Sequence, residues 1–314
     1  MIGSRFLKKP EPSDGFRDPW TDLTQLKPPA SPDTRPVRLL LGIALTIGST
    51  FVLASMDALS KLLTGDLPVV QVVWGRYFFH TLIVMTVLAL RAQPGFWKSR
   101  RLDLQLVRAL LLCATTFLLY ASLIHVPLGN ATAVLFFAPV LVTLLAYLVL
   151  GESVGPRQLV AVVVGFLGVL LIIRPGFGAE PAMLIPLGAA ILLAFFYLLT
   201  RLVGRYDSAS TTLFYTTSVG AVLFSLALPF VWEMPSWPQI GLMAIMGSLG
   251  ALGHFLLVRA FAIAPASSLS PFLYSQIVAA ATISVVVFGD PLQWTMIAGA
   301  GLLVASGIYV WLKT

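Results

Sequence analysis

The sequence predicts an all-α integral membrane protein of about ten transmembrane helices, arranged as two inverted five-helix repeats. Three observations lead there. Of 314 residues 58% are hydrophobic and 11% charged, with a mean hydropathy of +0.92, whereas a soluble domain places about a quarter of its residues in Asp, Glu, Lys and Arg. Apolar runs recur, most of them close to the about 20 residues a helix needs to cross the hydrocarbon core. The two halves of the chain also repeat each other's special residues at a nearly constant offset.

The apolar runs cover residues 39–59, 69–90, 104–124, 131–150 and 159–173, then 183–200, 211–231, 240–262, 269–288 and 292–312. The fifth is the shortest. Each is expected to be a helix, because an open strand would leave backbone groups unpaired in lipid. Between the two sets lies a polar joint, Arg174 to Pro181, rich in Gly and Pro. Residues 1–37 are charged and proline-rich, as in Lys8-Lys9-Pro10, and read as a flexible tail that cannot bury a core. No short apolar segment with a small-residue cleavage site precedes residue 39, so no secretory signal is expected.

The net charge of +7 and pI near 9.8 could suggest nucleic acid. The positions of the charges argue against such a partner. With the N-terminus in the cytoplasm, 17 of the 20 Lys and Arg fall at cytoplasmic ends or in the tail, leaving Lys61, Arg76 and Arg174 on the other half. That bias follows membrane topology and puts both termini in the cytoplasm of a cell (inner) membrane protein. Cys113 is the single cysteine and lies in an apolar run, where it is a packing residue. There is no phosphate-cradling loop, no histidine pair at metal-ligand spacing and no nucleophile elbow. No cofactor, metal or catalytic residue is expected.

Adding 138 carries Pro127 to Pro265, Asn130 to Ser268, Gly151 to Gly289 and Glu152 to Asp290. Adding 140 carries Ala54, Ser60, Lys61 and Leu62 to Ala194, Thr200, Arg201 and Leu202, and takes Ala161 and Gly165 to Gly301 and Ala305. The prolines separate helices, and Asn130 or Ser268 is expected to cap the next one. Ala161 with Gly165, and Gly301 with Ala305, are small-residue pairs expected at close helix crossings. The units are residues 38–174 and 183–312. Five helices per unit is odd, so the second enters the bilayer from the opposite side, and such repeats hold a binding site near the midplane.

Several features together resemble the drug/metabolite transporter superfamily, specifically its EamA-type members with two repeats. They are the ten-helix plan, Asp57-Ala58-Leu59-Ser60-Lys61 ending the first helix, Arg76 in the second, Pro127 to Asn130, Pro139, and Gly151-Glu152. The likeness covers residues 38–312 and resides in order and spacing rather than in one motif. It implies secondary transport of a small metabolite of the amino-acid, nucleoside, sugar or vitamin kind. Position 216, opposite Arg76 by the 140 shift, is Thr216, so a symmetric charged site is not expected.

Ionisable groups inside a membrane need partners or a wet cavity. Asp57 and Lys61, four apart with the acid first, suit an ion pair, or leave Asp57 for protons or substrate. Arg76 keeps its charge and calls for Asp57 or a substrate carboxylate or phosphate. His80, one turn on, can serve a proton-coupled cycle or simply hydrogen-bond within the bundle. His254 follows Gly247, Gly250 and Gly253, and with Tyr120, Tyr274, Ser275 and Gln276 forms a polar lining suited to a neutral or zwitterionic metabolite. Interhelical hydrogen bonding and tight packing explain the same residues without a ligand. The proline in each of the runs 131–150 and 269–288, Pro139 and Pro271, could free carbonyls for a ligand or kink the helix. The leading reading is a gradient-driven carrier working by alternating access. A flippase for a lipid-linked or amphiphilic substrate is the alternative, and a membrane-embedded enzyme a remote one, since converging catalytic groups are lacking.

Overall fold

The computed structural model describes residues 35–90, 95–150, 155–174 and 181–311. The tail through residue 34, Gly151 and Glu152 lie outside the described residues. Among the described residues every regular element is helical. The first half holds α1 Arg35–Thr64, α2 Val69–Leu90, α3 Leu102–Leu123, α4 Leu128–Leu135, α5 Ala138–Leu150 and α6 Pro156–Ile173. The second holds α7 Leu184–Val203, α8 Ala209–Ala227, α9 Trp237–Ile263, α10 Ala266–Leu273, α11 Ser275–Phe288 and α12 Trp294–Trp311.

Eight spans are long and apolar enough to cross a membrane; α4 with α5, and α10 with α11, each form one of them. The apolar stretches in α6 and α12 are shorter, Gln158–Ile173 and Trp294–Tyr309. α1 starts ahead of the expected residue 39, because Pro36 sits in its first turn, where a missing N–H breaks no helical bond.

The repeat is visible in the backbone. Pro127 (φ −54°, ψ 138°) and Pro265 (φ −59°, ψ 136°) adopt nearly the same extended conformation as N-caps of α4 and α10. Asn130 and Ser268 therefore fall inside the first turn, and the expected side-chain caps do not form. The proline starts each helix earlier than a capping asparagine or serine would. Tight turns at Phe136–Phe137 and at Tyr274 interrupt the two spans, again one repeat offset apart. Pro139 follows its interruption as the second residue of α5, whereas Pro271 precedes the other inside α10.

Packing crosses between the halves. α1 lies most extensively on α9, its counterpart pair being α3 on α7, while α2 meets α8 and α6 meets α12. Contacts at the helix ends show the inversion. Lys61, near the end of α1, bonds Asp290 just beyond α11. α3 finishes at that same end, since Gly129 just after it packs on Ala281 and Met296. Yet Arg108, near the start of α3, bonds Thr200 near the end of α7. α1 and its repeat mate α7 thus run in opposite directions.

One expected crossing is displaced. A β-carbon on Gly301 would meet nothing within 4 Å, so it faces open space. α6 and α12 instead cross at Gly168 and Gly299, where a β-carbon on Gly299 would lie 2.5 Å from the Gly168 carbonyl oxygen. The rotation of each helix, which spacing alone leaves open, selects the glycines in contact.

Candidate functional site

The helices converge on a polar cluster built from both halves. α1 contributes Asp57, 4% exposed, whose Oδ2 accepts a hydrogen bond from Gln276 Nε2 of α11 at 3.4 Å. α2 contributes Arg76, whose Nη1 donates to the hydroxyl of Tyr120 on α3 at 3.1 Å. The guanidinium lies 5.4 Å from the Tyr120 ring and 5.7 Å from that of Tyr77, within range of cation–π attraction. Tyr77 in turn shares a hydrogen bond of 3.1 Å with Thr116 of α3.

No ion pair joins Asp57 to Arg76. Each side chain spends its bond on a neutral partner, Gln276 or Tyr120. The two charges attract through space, but the other guanidinium donors bond to no described residue. A buried acid and a half-buried base held apart in this way present complementary charges to anything placed between them.

His80 and His254 complete the cluster from α2 and α9. Their rings stand edge to face with centroids 5.6 Å apart, and His80 Nε2 and His254 Nδ1 have no hydrogen-bond partner among the described residues. The glycines of α9 make this contact possible. A β-carbon on Gly247 would lie 2.5 Å from Phe79 Cβ and 2.9 Å from the His80 backbone nitrogen. One on Gly250 would lie 3.2 Å from both His80 Nδ1 and Met56 Sδ. These glycines therefore seat α1 and α2 against α9.

Asp57, Arg76, His80, Tyr120, His254 and Gln276 come together, and three expected residues do not join them. Lys61 turns from Asp57 to Asp290, with Nζ to Oδ2 at 2.8 Å, because α11 brings that carboxylate to the end of α1. Tyr274 packs its ring on Phe136 at 5.7 Å, with its hydroxyl end against Gly307 of α12. The turn that interrupts α10 and α11 directs it there. Ser275 shares a bond of 2.6 Å with Thr50, tying α11 to α1.

Tyr77 and Thr116 were not foreseen as part of the site. Helical spacing offered one signal: Thr116 is four residues before Tyr120, on the same face of α3. Asp290 as the partner of Lys61 carried none, since the two meet only by folding.

Comparison with known proteins identifies the family of the whole chain. Residues 40–174 and 181–312 each match the EamA-like transporter family. The S-adenosylmethionine uptake transporter of Rickettsia bellii is 26% identical over 86% of this chain and 93% of its own length. The riboflavin transporter of Vibrio cholerae is 28% identical over 85% of this chain and 90% of its own. A solved crystal structure superposes with a TM-score of 0.59 at 17% identity, covering 89% of this chain and 98% of the other; that likeness concerns the fold alone.

Proposed function

Given that the chain belongs to the EamA-like transporter family, within the drug/metabolite transporter superfamily, we propose that it carries a small zwitterionic or bipolar metabolite by alternating access. Membership makes it a multi-pass membrane protein and a secondary transporter for a small polar metabolite rather than an enzyme. The finer reading rests on one observation. Asp57 and Arg76 are drawn from separate helices to the meeting point of the halves without closing an ion pair. A substrate ammonium or other cationic group would bind Asp57 with Gln276, and a carboxylate or phosphate would bind Arg76 with Tyr120. Relatives named for S-adenosylmethionine and riboflavin support an organic solute of nucleotide-like size and mixed polarity.

The helix count and the basic residues support cytoplasmic termini in a cell membrane. The Lys61–Asp290 end of the bundle then faces outward and the end with Arg101 faces the cytoplasm. His80 and His254, with unpartnered nitrogens beside Arg76, are the groups through which a proton would couple. The flippase reading has an apolar groove between α11 and α12, lined by Val278, Val285, Ile297 and Val304. No charged side chain lines that groove to receive a head group, which favours the soluble solute.

The deciding experiment screens purified protein for thermal stabilisation by amino acids, nucleosides and vitamins, then measures proteoliposome flux of the hits with and without a pH gradient. Zwitterions should stabilise most. Equal stabilisation by uncharged analogues would overturn the bipolar site.

A further inference from the structure

Away from the central cluster a second arginine lies within the bundle, this one fully buried and with no carboxylate bonded to it among the described residues. Arg108 of α3 is 1% exposed. Its Nη1 donates to Thr200 Oγ1 of α7 at 3.3 Å. Its Nη2 donates to the Thr212 carbonyl of α8 at 2.8 Å, to the hydroxyl of Thr216, and to Gln105 Oε1 on its own helix at 3.3 Å. The guanidinium lies 5.0 Å from the Phe196 ring, and Nε has no hydrogen-bond partner among the described residues. Thr216 is the residue opposite Arg76 by the repeat offset. The positive charge that the second half lacks at that position therefore comes from the first half, through Arg108.

The surrounding contacts also bridge the halves at the same end of the bundle. Asp207, in the α7–α8 connection, accepts bonds from Ser99, from the Arg100 backbone at 2.8 Å and from Gln105 Nε2 at 2.9 Å. The Tyr215 hydroxyl donates to the Trp97 carbonyl at 2.7 Å. α3 and the loop before it are thus stitched to α7 and α8.

The chemistry of the stitching separates it from a permanent clamp. Every acceptor on Arg108 is neutral: two hydroxyls, a carbonyl and an amide. Parting α3 from α7 and α8 would break no ion pair of Arg108, and water entering the gap would solvate the cation, the hydroxyls and the Asp207 carboxylate, which gives up its bonds to Ser99, Arg100 and Gln105 in the same motion. At the opposite end Lys61 and Asp290 form a full ion pair. A cation held only by neutral acceptors can exchange them for water without severing an ion pair, so opening does not carry the cost of breaking one, which suits a gate.

We propose that Arg108, with Gln105, Thr200, Thr212 and Thr216, forms the cytoplasmic gate of this carrier, closing the central site by joining α3 to α7 and α8. The assignment rests on the alternating-access reading and on cytoplasmic termini. When open, the gate leaves a cation lining the inner vestibule, where it would attract the anionic end of a substrate.

The test uses a thiol behind the gate. Thr115 is 3% exposed and lies seven residues beyond Arg108 on the same face of α3. In Thr115→Cys/Cys113→Ser protein, labelling by a membrane-impermeant maleimide is timed in inside-out and right-side-out vesicles without substrate. Arg108→Met and Thr216→Val should each raise labelling from the cytoplasmic face about tenfold and lower it from the outside. Should Arg108→Met fail to insert, Thr216→Val, which removes a single hydroxyl, decides the matter. Unchanged rates, or a rise from the outside only, would overturn the gate. Labelling that shifts in protein showing no metabolite flux would retain the gate and remove the proposed cargo. Unchanged labelling with flux that depends on Arg76 would do the reverse.

Discussion

The rings of Phe136 and Tyr274 meet with centroids 5.7 Å apart and planes tilted by 50°, and the two residues are separated by the repeat offset of 138. Each sits where its own membrane span is interrupted, Phe136 between α4 and α5 and Tyr274 between α10 and α11. Related positions of two inverted units touch each other when they lie on the axis that relates the units. This contact marks that axis at the level of the interruptions.

Because the rings support each other, Phe136→Ala and Tyr274→Ala should be non-additive. A double-mutant cycle on unfolding in detergent should give a coupling of about 0.5–1.5 kcal/mol, the range for aromatic pairs. Additive losses would mean that the contact is incidental.

Arg76→Ala should still insert and yet lose about tenfold or more in flux, as expected when one charged contact of about 1.5–3 kcal/mol is removed. Arg76→Lys should recover only part, since an ammonium keeps the charge but not the planar fork. Flux measured in proteoliposomes at matched protein content checks both, and normal flux in Arg76→Ala would take the residue out of the site.

Lys61 and Asp290 are mostly buried, with side chains 15% and 20% exposed. Lys61→Met leaves Asp290 with its Ser284 contact but no cation, so unfolding stability should fall by about 3 kcal/mol, at the low end for a broken buried pair. Lys61→Met with Asp290→Asn should regain most of that loss. Failure of the double variant to recover would show that the pair is not what holds α1 to α11.

Gly247→Ala should lower stability by about 1–3 kcal/mol, since its methyl meets α2 at Phe79 and at the His80 backbone, which cannot swing aside. Gly241→Ala on the same helix meets nothing within 4 Å and should be neutral or stabilising by up to about 1 kcal/mol. Thermal unfolding of the two variants side by side checks the contrast.

His80→Gln removes an imidazole that stands beside His254 and on the helix of Arg76. If protons couple through this pair, the variant's flux should lose its response to a pH gradient while downhill exchange persists. An unchanged pH profile would end the role of His80 in coupling.

Much of the architecture was legible in the sequence because lipid leaves little choice. Backbone groups must be satisfied within a helix, so run length and composition determine the spans, and the second predicted run matches α2 at both ends. The offset of Pro127 and Pro265 also revealed the repeat, because both prolines impose the same backbone at a helix start. Arg76, His80, Tyr120 and His254 stood out because polar groups are costly in hydrocarbon.

Only the tertiary structure decided which of those groups meet. Helix rotation and cross-half packing set that, and neither is written in the spacing along one helix. Lys61 has an acid four residues away and pairs instead with one 229 residues on, while Tyr274 turns from the centre to the axis. Asp57 and Arg76, drawn together without joining, likewise follow from how α1, α2, α3 and α11 are packed. Local sequence sets which residues must be buried, and global packing sets what each is buried against.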